Sequence, residues 1–291
     1  MSSPLKLKHL QAGFSIVELM ISLVLGLLLM TGVIQVFLSS RQTYATNEAM
    51  ARQQENGRFA LEFIARSART AGYSDPTFSI DKSLPSPLLR DGCAGLPASV
   101  ATVMNNYALC APDAGGNASD GIGFVMQPQL IDGVRRDCAG NSLAADEDAY
   151  KAEGEPLVIN HFEIIAAAGD RPAALGCRAY KFDSVSGVGG WTTGPNATPL
   201  IEGVDSLQVL YGEDTTGSDS RSANRYVSAE RVTKWNRVRS IRIAVLANSI
   251  NPVLPAPPNR NFILLDAAPL AFADNRARQI FTTTIQLKNN D

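Results

Sequence analysis

The chain holds little with which to do acid–base or metal chemistry. It contains only two histidines, His9 and His161, so a multi-histidine metal site is excluded. Its four cysteines, Cys93, Cys110, Cys138 and Cys177, are never spaced as the close Cys-x2-4-Cys pairs of a structural zinc site. Neither a Gly-x-Ser-x-Gly elbow nor a Walker loop occurs, which removes two common hydrolase and nucleotide-binding signatures. Neither sign of charge is in excess: the net charge is −2 with 19% charged residues, so bulk attraction to nucleic acid is absent and a disordered or coiled-coil chain is not indicated. Proline is missing from Leu5 to Asp75, which leaves room for one long helix.

What fills the start of that proline-free stretch is apolar. From Phe14 to Leu38 the only charge is Glu18. At about 1.5 Å per residue the run is long enough to cross the ~30 Å hydrocarbon core as a helix, and it is too long for a signal-peptide core. Lys6 and Lys8 precede it, which places the start of the chain on the cytoplasmic side and the residues after Leu38 on the other. An acid inside such a helix costs roughly 2.5 to 3.5 kcal/mol on insertion scales, so Glu18 needs a partner. Cleavage between Gly13 and Phe14 would supply one: a new α-amino group about one helical turn away, able to neutralise the Glu18 of a neighbouring copy. The bland alternative is a plain signal anchor with Glu18 near the lipid interface.

The run Gly13-Phe14-Ser15-Ile16-Val17-Glu18-Leu19 resembles the class III signal of type IV pilins and type II secretion pseudopilins. The resemblance implies that a prepilin peptidase cuts after Gly13, that Phe14 becomes the N-methylated terminus, and that Glu18 contacts the methylated amine of an adjacent subunit. It extends to Gln54-x-Asn56-Gly57-Arg58-Phe59-Ala60-Leu61, Ile64-Ala65-Arg66-x2-Arg69-x-Ala71-Gly72, Val204-Asp205-Ser206-Leu207-Gln208-Val209-x-Tyr211-Gly212, Trp235 to Arg242 and Phe281 to Ile285. These stretches are similar to a type IV pilus minor pilin of the PilW kind.

That resemblance implies no enzyme and no cofactor. The implied role is at the pilus tip, priming assembly and supporting twitching motility and adhesion. The implied partners are other minor and major pilins, the prepilin peptidase, the inner-membrane assembly platform and a large tip adhesin, with the membrane as host and nucleic acid not among them. The chain would sit in the inner membrane as a single-pass protein with a periplasmic C-terminal part, and at the cell surface in the fibre after assembly. A minor pseudopilin J of type II secretion and a membrane-anchored periplasmic enzyme or binding domain are the rivals. Many major pilins carry a proline in the membrane segment, where this chain has Gly26, Gly32 and Gln35.

The expected fold is α+β and pilin-like, a long N-terminal helix packed on an antiparallel β domain. Residues 1–13 are read as leader, 14–38 as the transmembrane and assembly helix, 39–72 as its amphipathic stalk half, and 73–291 as the globular part. Phe59, Ala60, Phe63, Ile64, Ala68 and Ala71 recur at three- and four-residue steps and predict the packing face, with Glu48–Arg52 and Glu62–Arg66 as ion pairs. Gly72 predicts the C-cap. Residues 73–121 read as a long surface connection. Strands are expected at 122–126, 157–165, 178–182, 200–211, 239–246 and 280–287, all in one sheet. Gly187 to Gly190 before Trp191 reads as a turn, and the proline-rich run from Pro252 to Pro258 as a projecting loop.

All four cysteines lie beyond the anchor, where disulfides persist. Of the three pairings that four cysteines allow, Cys93–Cys110 with Cys138–Cys177 is favoured because each closes a loop in a turn-rich region. Three polar groupings remain. His161 in an apolar strand reads as a satisfied core residue rather than a general base. The acids Asp146, Glu147, Asp148, Glu153 and Glu155, and Glu213, Asp214 and Asp219, read as solvated turns rather than calcium ligands. Arg231, Lys234, Arg237, Arg239 and Arg242 around Trp235 are split by strand alternation and do not form a DNA-binding row.

Overall fold

The computed structural model describes residues 13–73, 119–129, 131–132, 134–142, 158–183, 190–193, 197–217 and 222–289. It divides into two compact units, Met1–Glu48 and Ala49–Asp291. Helix α1, Ile16–Thr70, contributes to both.

In the first unit, α1 is apolar and exposed from Ile16 to Leu38, and it is long and apolar enough to cross a membrane. Its hydroxyls turn back on the helix: Thr31 Oγ1 donates to the Leu27 carbonyl at 2.8 Å, and Thr43 Oγ1 to that of Ser39 at 2.9 Å. Such bonds satisfy the hydroxyls on the helix's own backbone. Gly26 and Gly32 do not interrupt the helix.

Among the described residues of the second unit, nine strands form two antiparallel sheets. They are β1 Ile122–Met126, β2 Val158–Ile165, β3 Ala174–Asp183, β4 Gly190–Thr193, β5 Thr198–Glu202, β6 Val204–Glu213, β7 Arg225–Val227, β8 Val238–Asn248 and β9 Arg278–Gln286. One sheet runs β1-β2-β3-β4 with β5 also pairing β3, and the other runs β7-β6-β8-β9. The expected single sheet is thus two. The expected strand over 200–211 breaks at Gly203, whose φ of +76° only glycine adopts easily and whose missing Cβ leaves room for the Asn248 carbonyl. This joint sends β5 to one sheet and β6 to the other. β4 occupies part of the stretch read as a turn, and β7 carries too few residues to show alternation.

The principal core gathers Ala60, Ile64 and Ala68 of α1 with Phe124, Phe162, Leu175, Leu207, Ile241, Ile243 and Val245. The predicted stripe is buried at Ala60, Ile64, Ala68 and Ala71 but not at its two phenylalanines. Phe59 and Phe63 remain 49% and 40% exposed, whereas Ala49, Gln53, Gly57, Ala60, Ile64, Ala65, Ser67 and Ala68 are buried. Small side chains let the helix lie close to the strands, where a phenylalanine would hold it away. The expected pairing of Glu62 with Arg66 is replaced by one with Arg69, 3.2 Å away. Gln53 donates through Nε2 to the Ala247 carbonyl at 2.9 Å, and Asn56 through Nδ2 to that of Glu202 at 3.0 Å. Gly72, with φ +74°, turns the chain out of α1, and its N–H bonds the Val125 carbonyl. Asn289 Nδ2 reaches the Ala71 carbonyl at 3.1 Å, tying the last residues to the helix terminus.

Gly57 is the closest point of approach, because a Cβ there would overlap the Phe281 ring of β9. Replacing Gly57 with leucine is expected to destabilise the second unit by about 1–3 kcal/mol through overpacking. Urea unfolding of the full chain in detergent checks this. Pairing the substitution with Phe281→Ala should recover part of the loss, and additive losses would show that the two residues do not meet.

The connection from β8 to β9 does not simply project. Phe262, Leu264 and Leu270 fold back on Ala244 and Leu246, on the opposite face of β8, as a second small core. Arg278 clasps it: Nε donates to Asp205 at 2.7 Å, the guanidinium meets Asp274, and the Phe272 ring lies 3.6 Å from its central carbon.

Candidate functional site

The residues singled out at the N-terminus fall at the beginning of α1. Gly13 to Ser15 precede the helix, and the Leu19 N–H makes an early helical bond, to the Ser15 carbonyl at 3.1 Å. Glu18 therefore stands in the first turn, where unpaired amides and the helix dipole favour a negative charge. Ser15 and Glu18 have capping-box spacing, a local signal that reading Glu18 only as a membrane-embedded acid overlooks. Phe14 is 79% exposed, and nothing lies within 4 Å of where a Cβ on Gly13 would be. The peptide joining the two residues stands clear of the rest of the described chain. Residues 1–12 lie outside the described ones.

Away from this end, the polar groups are engaged in holding the fold. The structure bonds Cys138 to Cys177 with Cα atoms 6.1 Å apart, pinning the 134–142 segment to β3. Cys93 and Cys110 lie outside the described residues, as does the acidic stretch 146–155. Glu213 is buried and accepts from the Thr233 amide and hydroxyl, from the Lys234 amide at 2.6 Å and from Arg225 Nη2 at 2.8 Å. Burial alone would raise its pKa, but these donors together hold it below the usual glutamate value. Asp214 accepts from the Thr216 hydroxyl and amide at 2.6 and 3.0 Å, and its pKa is likewise lowered. Among the described residues no three acids, cysteines or histidines converge as metal ligands.

His161 is buried in β2, directly across the ladder from Arg178 of β3. Burial, aided by the Arg178 charge, pushes its pKa down to about 3, so the ring is neutral at physiological pH. Arg178 in turn pairs with Glu163 at 2.8 Å. Trp235 is packed edge-on against Tyr211, ring centres 4.9 Å apart, and Arg242 stacks on Tyr226 on the other side of the sheet. The basic residues thus do not share one face around an open aromatic platform.

Comparison with known proteins bears on both ends of the chain. Residues 164–289 match the family model described as Type IV Pilus-assembly protein W. Residues 8–34 match the model described as Prokaryotic N-terminal methylation motif. No curated protein matches the chain. Among solved structures, a type IV-like pilin from Thermus thermophilus is similar at 17% identity, covering 81% of this chain and 96% of that one with a TM-score of 0.40.

Proposed function

We propose that this type IV pilin-like protein, with its PilW region and N-terminal methylation motif, is a minor pilin that acts at the end of a type IV pilus. The observation that carries the reading is the arrangement at the start of α1. An accessible Gly13–Phe14 junction is followed, one turn later, by the only acid of the exposed apolar run from Phe14 to Leu38. Cleavage after Gly13 leaves the Phe14 amine, which is N-methylated and still cationic. In a bundle of such helices that cation neutralises the Glu18 of the adjacent subunit, offsetting the roughly 2.5 to 3.5 kcal/mol that a lone membrane acid costs.

The bulk of the Ala49–Asp291 unit suits a low-copy position better than a repeated one along a thin fibre. Before assembly the protein sits in the inner membrane with that unit in the periplasm. Afterwards it is part of the pilus tip, in contact with other minor and major pilins and a large tip adhesin, and it contributes to twitching motility and adhesion. It is not an enzyme. The prepilin peptidase and the inner-membrane platform act on it during maturation and assembly. A type II secretion pseudopilin would share this architecture, and deletion separates the two: loss of surface fibres marks the pilus, loss of exoprotein release the secretion machine.

Glu18→Ala is the direct test. The variant is expected to insert and fold normally, yet to drop at least about tenfold in sheared pili, since losing a charge pair in lipid is worth more than 1.4 kcal/mol. Normal recovery in the pilus fraction would count against the mechanism. Mass spectrometry of the native N-terminus should find methylated Phe14, and retention of residues 1–13 would contradict processing.

A further inference from the structure

We infer that Arg242, on the outer face of the β7-β6-β8-β9 sheet, is a binding site for a carboxylate that a different protein chain brings to it as an Asp or Glu side chain. Its own fold seats the guanidinium. The central carbon lies 4.2 Å from the centre of the Tyr226 ring, and Nε donates to Thr284 Oγ1 at 3.3 Å on the neighbouring strand. The ring is itself fixed, since the Tyr226 hydroxyl shares a hydrogen bond of 2.9 Å with Ser240 Oγ. Gly212 makes room for this arrangement: a Cβ there would overlap both Ser240 Oγ and the Tyr226 ring.

What the seat lacks is an acid. Arg178, Arg225 and Arg278 each meet a carboxylate within the chain, at 2.8, 2.8 and 2.7 Å. Among the described residues no acceptor other than Thr284 Oγ1 meets Arg242, so both Nη groups are unpartnered. The positions around it on this face are uncharged: Leu210 and Thr284 directly across on β6 and β9, Ser240 and Ala244 along β8, Thr282 and Gln286 on the diagonals. Farther along the face Phe262, Leu264 and Leu270 cover Ala244 and Leu246, but Thr282, Thr284 and Gln286 are exposed. The half-buried guanidinium is therefore ordered in advance, bordered by open surface and not neutralised.

Chemistry decides the ligand. With one face on a ring and Nε engaged, the guanidinium offers the edge formed by its two Nη groups, whose parallel N–H bonds match a carboxylate. Nucleic acid asks for several cations along its phosphates, and the flanking positions carry none. A sheet face is not the concave site that encloses a free small acid, so the carboxylate comes on a protein surface that supplies the rest of the contact. Ordering a long side chain opposes association, and here the fold has met that cost before any partner arrives. The inference rests on the proposed function, in which the chain is a low-copy member of a multi-subunit assembly, so the partner is not a second copy.

The test uses the full chain in cells that make the native assembly, with a photo-crosslinking phenylalanine placed at Thr282, which is exposed beside Arg242 and takes no part in its seat. Crosslinks are expected to map to one segment of a different chain that contains Asp or Glu. Adding Arg242→Glu should cut the crosslink yield at least about tenfold by setting like charges together, and Arg242→Lys should give an intermediate loss because it keeps the charge but not the fork. Changing the partner's acid to arginine in the Arg242→Glu background should restore the yield, which a merely structural role for Arg242 would not allow. Melting temperatures of the isolated variants should stay close to wild type. If Arg242→Glu fails to fold, Arg242→Gln serves in its place, with loss of the crosslink as the readout. Crosslinks to a second copy, to lipid or to a segment without an acid, no crosslink, or a yield indifferent to the residue at 242 would each overturn the inference. Normal incorporation of Glu18→Ala would instead undo the pilin mechanism. A chain that incorporates normally while its crosslink ignores the charge at 242 refutes the carboxylate site alone.

Discussion

Acidification from pH 7 to pH 4 is expected to remove roughly 3 kcal/mol of stability through His161 alone, by linkage between the unfolded value near 6.5 and the folded value. The sign follows from which state takes up the proton. The unfolded chain protonates this ring as pH falls through 6.5, whereas the folded protein keeps it neutral down to about 3, so acid favours unfolding throughout that window. Above pH 6.5 the contribution is flat. The buried ring faces a guanidinium already paired with Glu163, and among the described residues Nδ1 has no hydrogen-bond partner, so none of them rewards a second proton. Urea unfolding from pH 8 to 4 should show a slope approaching 1.4 kcal/mol per pH unit below 6, and His161→Phe should flatten it. Glu213, Asp214 and Asp274, whose folded pKa values are depressed, act lower: their stabilisation is present above their unfolded values near 4 and fades as pH falls further. An acid limb that begins only below pH 4.5 in wild type and variant alike would contradict the histidine account.

Loss of the Cys138–Cys177 bond is expected to cost about 4 kcal/mol, the chain-entropy value for a closed loop of 39 residues. Cys177 is buried in the principal core, and the Cys138 amide bonds Asn160 Oδ1 at 3.1 Å, so both ends of the link are held before the sulfurs meet. A Cys138→Ala, Cys177→Ala protein should show a lower urea midpoint and a steeper m-value, because its unfolded state is released to expand. An unchanged midpoint would mean that the bond does not form in the native protein.

The sequence showed those parts of the fold that repeat. Ile122–Met126 was legible as a short apolar run, buried at every position, and β8 and β9 by the alternation of their residue types. The N-terminal motif was legible because one carboxylate in an apolar run has few explanations. The helix face was legible at Ala60, Ile64 and Ala68 and misjudged beside them for a physical reason: periodicity weights large apolar residues, whereas a helix lying close on strands selects small ones, so Gly57 and Ser67 are buried while Phe59 and Phe63 stay out. Residues 200–211 read as one strand because hydrophobicity does not register a change of sheet. Only the positive φ at Gly203 marks it, and a glycine in a strand is an ambiguous sign. The second core under the β8–β9 connection was hidden because proline marks where a ladder ends without saying where the chain goes next.

The tie between Asn289 and the end of α1, spanning 218 positions, and the seat of Phe281 against Gly57 bear on the order of biogenesis. The helix leaves the ribosome first, yet its inner surface is not fully covered until the final strand arrives. Synthesis must therefore run to completion before this part can close, and a nascent chain caught midway would show small, sticky side chains to whatever escorts it. A nonsense mutation removing even the last dozen codons would release an anchored product unable to mature, one that quality-control proteases should clear.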